Sequence, residues 1–214
     1  MNRTLELKQN QTIVFIGDSI TDADRCEPAY RPFGFGYVHF IANTLLAKYP
    51  ALNLNIINRG ISGNTIRNLK SRWKTDCIKY EPNILTVLIG INDLLRRYGG
   101  SEKVPHAVYP DEYESIYREL LSMVKQQCNC QIVLMEPFMF CNNQEDRIFK
   151  RLQTYISTAD RLAKEFDAIL VPLQNKLDKQ LKQVSPERWS DDSVHPYLWA
   201  HAWISQCWFE ITNL

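Results

Sequence analysis

Five short runs of this chain are apolar almost from end to end, and this feature sharply restricts the folds open to it. They are residues 12–16 (TIVFI), 54–58 (LNIIN), 84–89 (ILTVLI), 131–135 (QIVLM) and 168–172 (AILVP). A strand with one wet face alternates apolar and polar residues; a strand that does not alternate is buried on both faces. Between the runs lie stretches with helical spacing, at about residues 36–48, 65–79, 111–127 and 145–166. Ile66, Leu69 and Trp73 share one face of the second, and Tyr113, Ile116, Tyr117, Leu120 and Val124 one face of the third. Doubly buried strands alternating with helices predict an α/β fold: a three-layer α/β/α sandwich around a five-stranded parallel sheet. No repeat, low-complexity tract or Pro/Gly-rich linker interrupts the pattern, so residues 1–214 are expected to form a single domain with a sizeable core.

Open parallel sheets bind ligands outside the carboxyl ends of their strands. Three of the runs end in small or polar residues: Gly17-Asp18-Ser19 after the first, NRGISGNT (58–65) after the second, and GIND (90–93) after the third. Ser19 has two readings, as the cap of the next helix or as a nucleophile at the sheet edge. A serine hydroxyl barely ionises near neutral pH and needs a base. Of the four histidines, His39 lies in a helical stretch, His106 in a polar loop beside Pro105, and His201 within an aromatic helix that begins after Pro196. His195 stands on a loop at the entrance to that helix, free to point into a cleft. Asp192, three residues earlier and preferred over Asp191, is placed to orient the imidazole. Acyl transfer also needs donors for an oxyanion, and the Ser19 N–H, Gly63 and the Asn92 amide are the candidates. Each has a plainer reading too: Gly63 as a turn residue, and Asn92-Asp93 as a helix cap.

Together these blocks resemble the GDSL, or SGNH, hydrolase superfamily. Gly17-Asp18-Ser19-Ile20 is similar to its G-D-S-L block, with Ile20 in place of leucine, and SGN (62–64) to the block carrying the oxyanion glycine. GIND (90–93) is similar to its G-x-N-D block, and DSVH (192–195) to its closing D-x-x-H block. The G-x-S-x-G elbow of the larger α/β-hydrolases is a different motif. The resemblance implies a flavodoxin-like (SGNH hydrolase) sheet of strand order 2-1-3-4-5. It also implies a serine esterase working through an acyl-enzyme: Ser19 as nucleophile, His195 as base, Asp192 as orienting acid, and Ser19, Gly63 and Asn92 as the oxyanion hole. Such chemistry takes no metal or organic cofactor, and activity is expected to fall in acid as the base protonates. NRGISGNTIRNL and IGINDLLR further resemble the cytoplasmic bacterial branch that contains acetylxylan and xylo-oligosaccharide acetyl esterases. That branch implies short, acetyl esters on carbohydrate; elsewhere the superfamily includes lysophospholipases and thioesterases. A non-catalytic carbohydrate-binding protein is the rival from another class, and loss of Ser19, His195 or Asn92 would have marked it.

Composition argues against nucleic acid and membrane as partners, and leaves the small-molecule ester that the resemblance implies. The 25 basic and 24 acidic residues nearly cancel, which gives no electrostatic footprint for nucleic acid or an anionic membrane. No apolar run nears the roughly 18 residues of a membrane span, and MNRTLELKQNQT lacks the apolar core of a signal peptide. Six scattered cysteines without a C-x-x-C pair then read as reduced thiols in a cytoplasmic protein. Asp18, Tyr30, Phe33, Tyr98 and Tyr197 are the candidate substrate contacts, with Phe35 and Phe138 beside them. The aromatic faces among them suit a sugar ring or an acyl chain, and equally anchor loops. Trp199, Trp203, Trp208 and Phe209 are either core or a patch for a homo-oligomer.

Overall fold

The structure, a computed structural model, describes residues 4–98 and 107–214. Its sheet has five strands, β1 (Thr12–Gly17), β2 (Asn55–Gly60), β3 (Ile84–Leu88), β4 (Gln131–Met135) and β5 (Ile169–Val171), in the order β2-β1-β3-β4-β5. Every pairing is parallel. β3 is buried along its whole length and β1 from Ile13 onward, as strands covered on both faces must be. β2 continues two residues beyond the apolar run, because Arg59 and Gly60 pair through their backbones with Ile16 and Gly17. Ladder bonds do not depend on side-chain polarity.

The helices are α1 (Ser19–Asp22), α2 (Tyr37–Lys48), α3 (Ile66–Asp76), α4 (Ile91–Tyr98), α5 (Pro110–Gln127), α6 (Arg147–Glu165), α7 (Leu173–Gln180) and α8 (Leu198–Thr212). α2 packs on α8, while α3 packs on α5, and α6 on α4 and α5. Phe15 and its register partner Thr86 face the α2–α8 layer. There Tyr37 meets Phe15 edge-on at 6.1 Å, and the buried Trp208 donates its indole N–H to Thr86 Oγ1 at 3.2 Å. Trp208 is therefore core, whereas Trp199 is 46% exposed and lies against Trp189. The stretch at 65–79 is not one helix: α3 stops at Asp76 and a 3₁₀ turn, Ile78–Tyr80, follows.

The strand order puts β2 and β3 on opposite sides of β1. The chain reverses its direction of travel across the sheet there, and the loops leaving the carboxyl ends of β1 and β3 part to open a crevice.

Candidate active site

At the end of β1 the capping duty falls to Asp18, not to Ser19. Asp18 is the N-cap of α1, and its Oδ1 accepts the Ile20 N–H at 3.0 Å. Ser19 becomes the first helical residue, and its Oγ lies 2.9 Å from His195 Nε2. Asp18, expected from the sequence among the substrate contacts, is only 1% exposed and lies buried beneath the turn. Burial pushes its carboxyl up to about 7, against the Ile20 hydrogen bond and the nearby His195, which lower it. Its Oδ2 has no hydrogen-bond partner among the described residues.

The loop before α8 holds His195, the candidate base. Asp192 Oδ1 accepts from Ser190 Oγ at 3.0 Å and from the N–H groups of Val194 and His195 at 2.9 and 2.8 Å. This folds the turn around Ser193, which adopts φ +66°. Asp192 Oδ2 is left for the imidazole, 2.6 Å from His195 Nδ1. An ionised carboxylate only accepts, so Nδ1 carries the hydrogen and the neutral ring presents a bare Nε2 to Ser19. Partial burial works to raise the Asp192 carboxyl, but its hydrogen bonds from His195 and Val194 together hold it well below the usual carboxylate range. Asp191 is engaged elsewhere, accepting from Tyr197 OH.

The other two loops bring the oxyanion candidates to the same sheet edge. Gly63 has φ +74°, a conformation that favours glycine, and its carbonyl accepts from Arg96 Nη2 at 2.6 Å. Asn92 Nδ2 donates one hydrogen to Asn64 O at 3.1 Å, which fixes the amide and leaves its second hydrogen available. Ser19 N–H belongs to the first turn of α1, where N–H groups have no intrahelical acceptor. Asp93 caps a helix other than its own: it receives the N–H of Ile66, the first residue of α3, at 3.0 Å. Burial first, with the neighbouring charge of Asp18 adding, pushes Asp93 up to about 7 despite that bond.

A cavity of about 280 Å³ opens at Ser19 and His195, with Asp22, Asp24, Phe35 and Ser62 in its wall. His201 also lines it, with a pKa lowered by burial to about 4, and its Nδ1 accepts from Tyr37 N at 3.3 Å. Phe35 lines the cavity; Tyr30, Phe33 and Tyr197 do not. Tyr30 is exposed and leans on Phe35 at 5.5 Å, while Phe33 packs against the core. Phe138 is buried against Phe140, in the core rather than the cleft. The side chain of Tyr98, and His106 entirely, lie outside the described residues. A larger groove of about 900 Å³ runs beside β5 between α6 and α8, and none of the site residues lines it. Among the described residues no cluster of His, Cys, Asp or Glu is arranged to hold a metal ion, and no helix is long and apolar enough to cross a membrane.

Sequence reasoning did not reach the groups that brace these loops. Asn58 donates to Thr21 O at 2.7 Å and Phe33 O at 2.8 Å, and accepts from Gly60 N at 2.8 Å. Asp22 accepts the Ser62 N–H at 3.0 Å. From neighbouring helices, Arg72 reaches carbonyls at the ends of β1 and β2, and Arg96 the Gly63 carbonyl. The one signal was the Arg72–Asp76 pair, four residues apart on a helical stretch.

The family model described as GDSL-like Lipase/Acylhydrolase matches residues 15–203. An acetylxylan esterase of Geobacillus stearothermophilus is 35% identical over 201 residues, covering 92% of this chain and 91% of that protein. The crystal structure of Axe2, an acetylxylan esterase from the same organism, aligns with TM-score 0.92 at 33% identity, over 98% of this chain and 97% of that one. LAE5, an alpha/beta hydrolase enzyme from the metagenome of Lake Arreo, Spain, aligns with TM-score 0.90 at 31% identity over 96% of both chains. Three of the similar structures are catalytic mutants of Axe2 in which a serine, an aspartate or a histidine is replaced by alanine. The aspartate and the histidine stand three positions apart there, as Asp192 and His195 do here.

Proposed function

The chain belongs to the GDSL-like lipase/acylhydrolase family and is a carboxylic ester hydrolase, and on that premise we propose that it removes acetyl groups from acetylated xylo-oligosaccharides through an acetyl-enzyme on Ser19. One observation carries the mechanism: the unbroken relay from Asp192 Oδ2 to His195 Nδ1 at 2.6 Å and from Nε2 to Ser19 Oγ at 2.9 Å. Ser19 Oγ bonds to the ester carbonyl carbon as its proton passes to His195 Nε2, and Asp192 stabilises the imidazolium. The Ser19 and Gly63 N–H groups and the free Asn92 N–H take the charge that develops on the carbonyl oxygen. The tetrahedral adduct collapses, the bond between the acyl carbon and the sugar oxygen breaks, and the leaving alkoxide takes the proton from His195. Water then repeats the sequence, releasing acetate and restoring Ser19.

The cavity supports the substrate. At about 280 Å³, with Asp22, Asp24 and Ser62 beside Phe35, it offers carboxylates and a hydroxyl for sugar hydroxyls and one aromatic face. A long acyl chain would need an apolar channel instead. The acetylxylan esterase relatives point the same way. The six free cysteines support a reducing, cytoplasmic setting. Exposed Leu198 and Trp199 at the start of α8 support assembly with further copies.

The test is acetate release from acetylated xylo-oligosaccharides, run beside p-nitrophenyl acetate, butyrate and octanoate. This reading predicts turnover that is greatest on the acetyl esters and on the sugars. A preference for octanoate, with no acetate released from the oligosaccharides, would move the substrate to lipids or long-chain thioesters.

A further inference from the structure

One guanidinium is bonded both to the strand end that leads into the Ser19 turn and to the loop that carries Gly63. Arg72 lies on α3 with its side chain only 12% exposed. Its Nη2 donates to Gly17 O, the carbonyl just before the Asp18-Ser19 turn, at 2.9 Å. Its Nη1 donates to Arg59 O near the end of β2 at 2.8 Å and to Asp76 Oδ2 at 2.9 Å. Its Nε donates to the side-chain Oδ1 of Asn64 at 2.8 Å. Asn64 follows the oxyanion glycine, and its backbone carbonyl is the one that fixes the Asn92 amide.

We propose that Arg72 is a positioning residue that sets the nucleophile turn and the oxyanion hole in mutual register. The inference rests on the catalytic reading of Ser19, Gly63 and Asn92. The end of β1 and the loop after β2 meet directly through Ile61 N to Gly17 O at 3.1 Å and Ser62 N to Asp22 Oδ2 at 3.0 Å, but neither bond reaches Asn64, which Arg72 does. A planar fork with fixed N–H directions ties them to one rigid reference. Asp76 holds the fork in turn: it accepts from Arg72 and also from Arg59, whose guanidinium lies over the Tyr80 ring. Burial, the largest influence on Arg72, works to lower its affinity for the proton, and the Asp76 carboxylate opposes it. Lysine at this position keeps the charge but concentrates its three donors on one nitrogen, which cannot span the Gly17, Arg59 and Asn64 oxygens.

The bonds also predict which variants stay folded. Gly17 O accepts from Ile61 N as well, at 3.1 Å, and Asp76 retains Arg59, so loss of Arg72 leaves neither without a partner. Asn64→Ala is milder still, because it removes the Nε acceptor and leaves the ion pair and the Asn92–Asn64 backbone bond in place.

The experiment compares wild type, Arg72→Lys, Arg72→Ala, Asn64→Ala and Ser19→Ala on p-nitrophenyl acetate, with circular dichroism confirming the fold of each. A second readout is the inhibition constant of phenyl trifluoromethyl ketone, which adds to a serine and mimics the tetrahedral oxyanion. Arg72→Lys should lower kcat by ~10²-fold, the scale of losing one oxyanion donor, with KM little changed. Its affinity for the ketone should weaken in parallel. Guanidinium ion, kept far below denaturing concentration, should restore part of the kcat of Arg72→Ala, and Asn64→Ala should lose about tenfold in kcat. Wild-type kcat in both Arg72→Lys and Asn64→Ala overturns the proposal, as does a loss confined to KM with ketone affinity intact. If Arg72→Ala does not fold, Asn64→Ala and Arg72→Lys decide. Ser19→Ala separates the two levels: undiminished turnover there sinks the catalytic reading itself, whereas its inactivity beside fully active Arg72 and Asn64 variants sinks only the role of Arg72.

Discussion

Asp192 divides its two oxygens between two tasks. Oδ1 folds the loop through Ser190, Val194 and His195, and Oδ2 holds the imidazole. Asparagine can keep the first task with its carbonyl oxygen but offers N–H₂ to the imidazole, which favours the wrong tautomer. Asp192→Asn should therefore lower kcat by ~10³–10⁴-fold while the thermal midpoint moves little; a midpoint loss that accounts for the lost activity would contradict this division. Asp192 and His195 were legible because their contact is local, three residues along one turn. Arg72, Arg96 and Asp93 were not, because each bonds main-chain atoms in elements distant in sequence. No residue spacing records a partner of that kind. The sequence set Asp18 among the substrate contacts, since position beside Ser19 does not record which way a side chain points. Only its burial shows that it faces inward.

At the scale of elements, legibility followed length. Strands with continuous apolar runs and the helices α3, α5 and α6 declare themselves, since several turns repeat the pattern, whereas α2 and α8 carry little contrast between faces. The eight-residue helices α4 and α7 span only about two turns, too few for a period to stand out. The junction of β4 and α7 yields a test. Glu136, just past β4, is buried and accepts the Gln174 N–H near the start of α7 at 3.2 Å. Burial pushes its carboxyl up to about 7, against that hydrogen bond. An unfolded glutamate titrates near about 4.3, so between these values the folded state holds a proton that the unfolded state has lost. The contribution of Glu136 to stability therefore falls as pH rises through this window. Glu136→Gln removes the titration, and its melting temperature relative to wild type should rise between pH 5 and pH 8. A difference independent of pH would place the Glu136 carboxyl outside this range. On the other face of the sheet, Trp208→Ala should cost about 3–5 kcal/mol in denaturant unfolding, from the lost burial and the indole bond to Thr86; a cost under about 1 kcal/mol would contradict its place in the core.

Across the whole molecule, the sandwich was readable because doubly buried strands alternating with helices have few other solutions. Which side of β1 each strand takes was readable only through the family resemblance, since apolar runs do not encode their neighbours. The thiols give a global readout of the packing. Cys77, Cys130 and Cys207 are buried, Cys128 and Cys141 half-buried, and Cys26 exposed. Burial raises the thiol pKa of each of the first five, to about 12 for Cys130 and Cys207. Alkylation of the native protein at pH 8 should modify Cys26 first, and the three buried thiols only after unfolding, as peptide mass mapping would show. Fast modification of Cys77 or Cys207 in the native state would contradict the packing described here.

The central claim, ester cleavage through Ser19, is tested most directly by acetate release from acetylated xylo-oligosaccharides by wild type and by folded Ser19→Ala. The structure predicts that kcat falls by on the order of 10⁴-fold or more in the variant, with circular dichroism unchanged. Wild-type turnover by Ser19→Ala would contradict it and require another nucleophile.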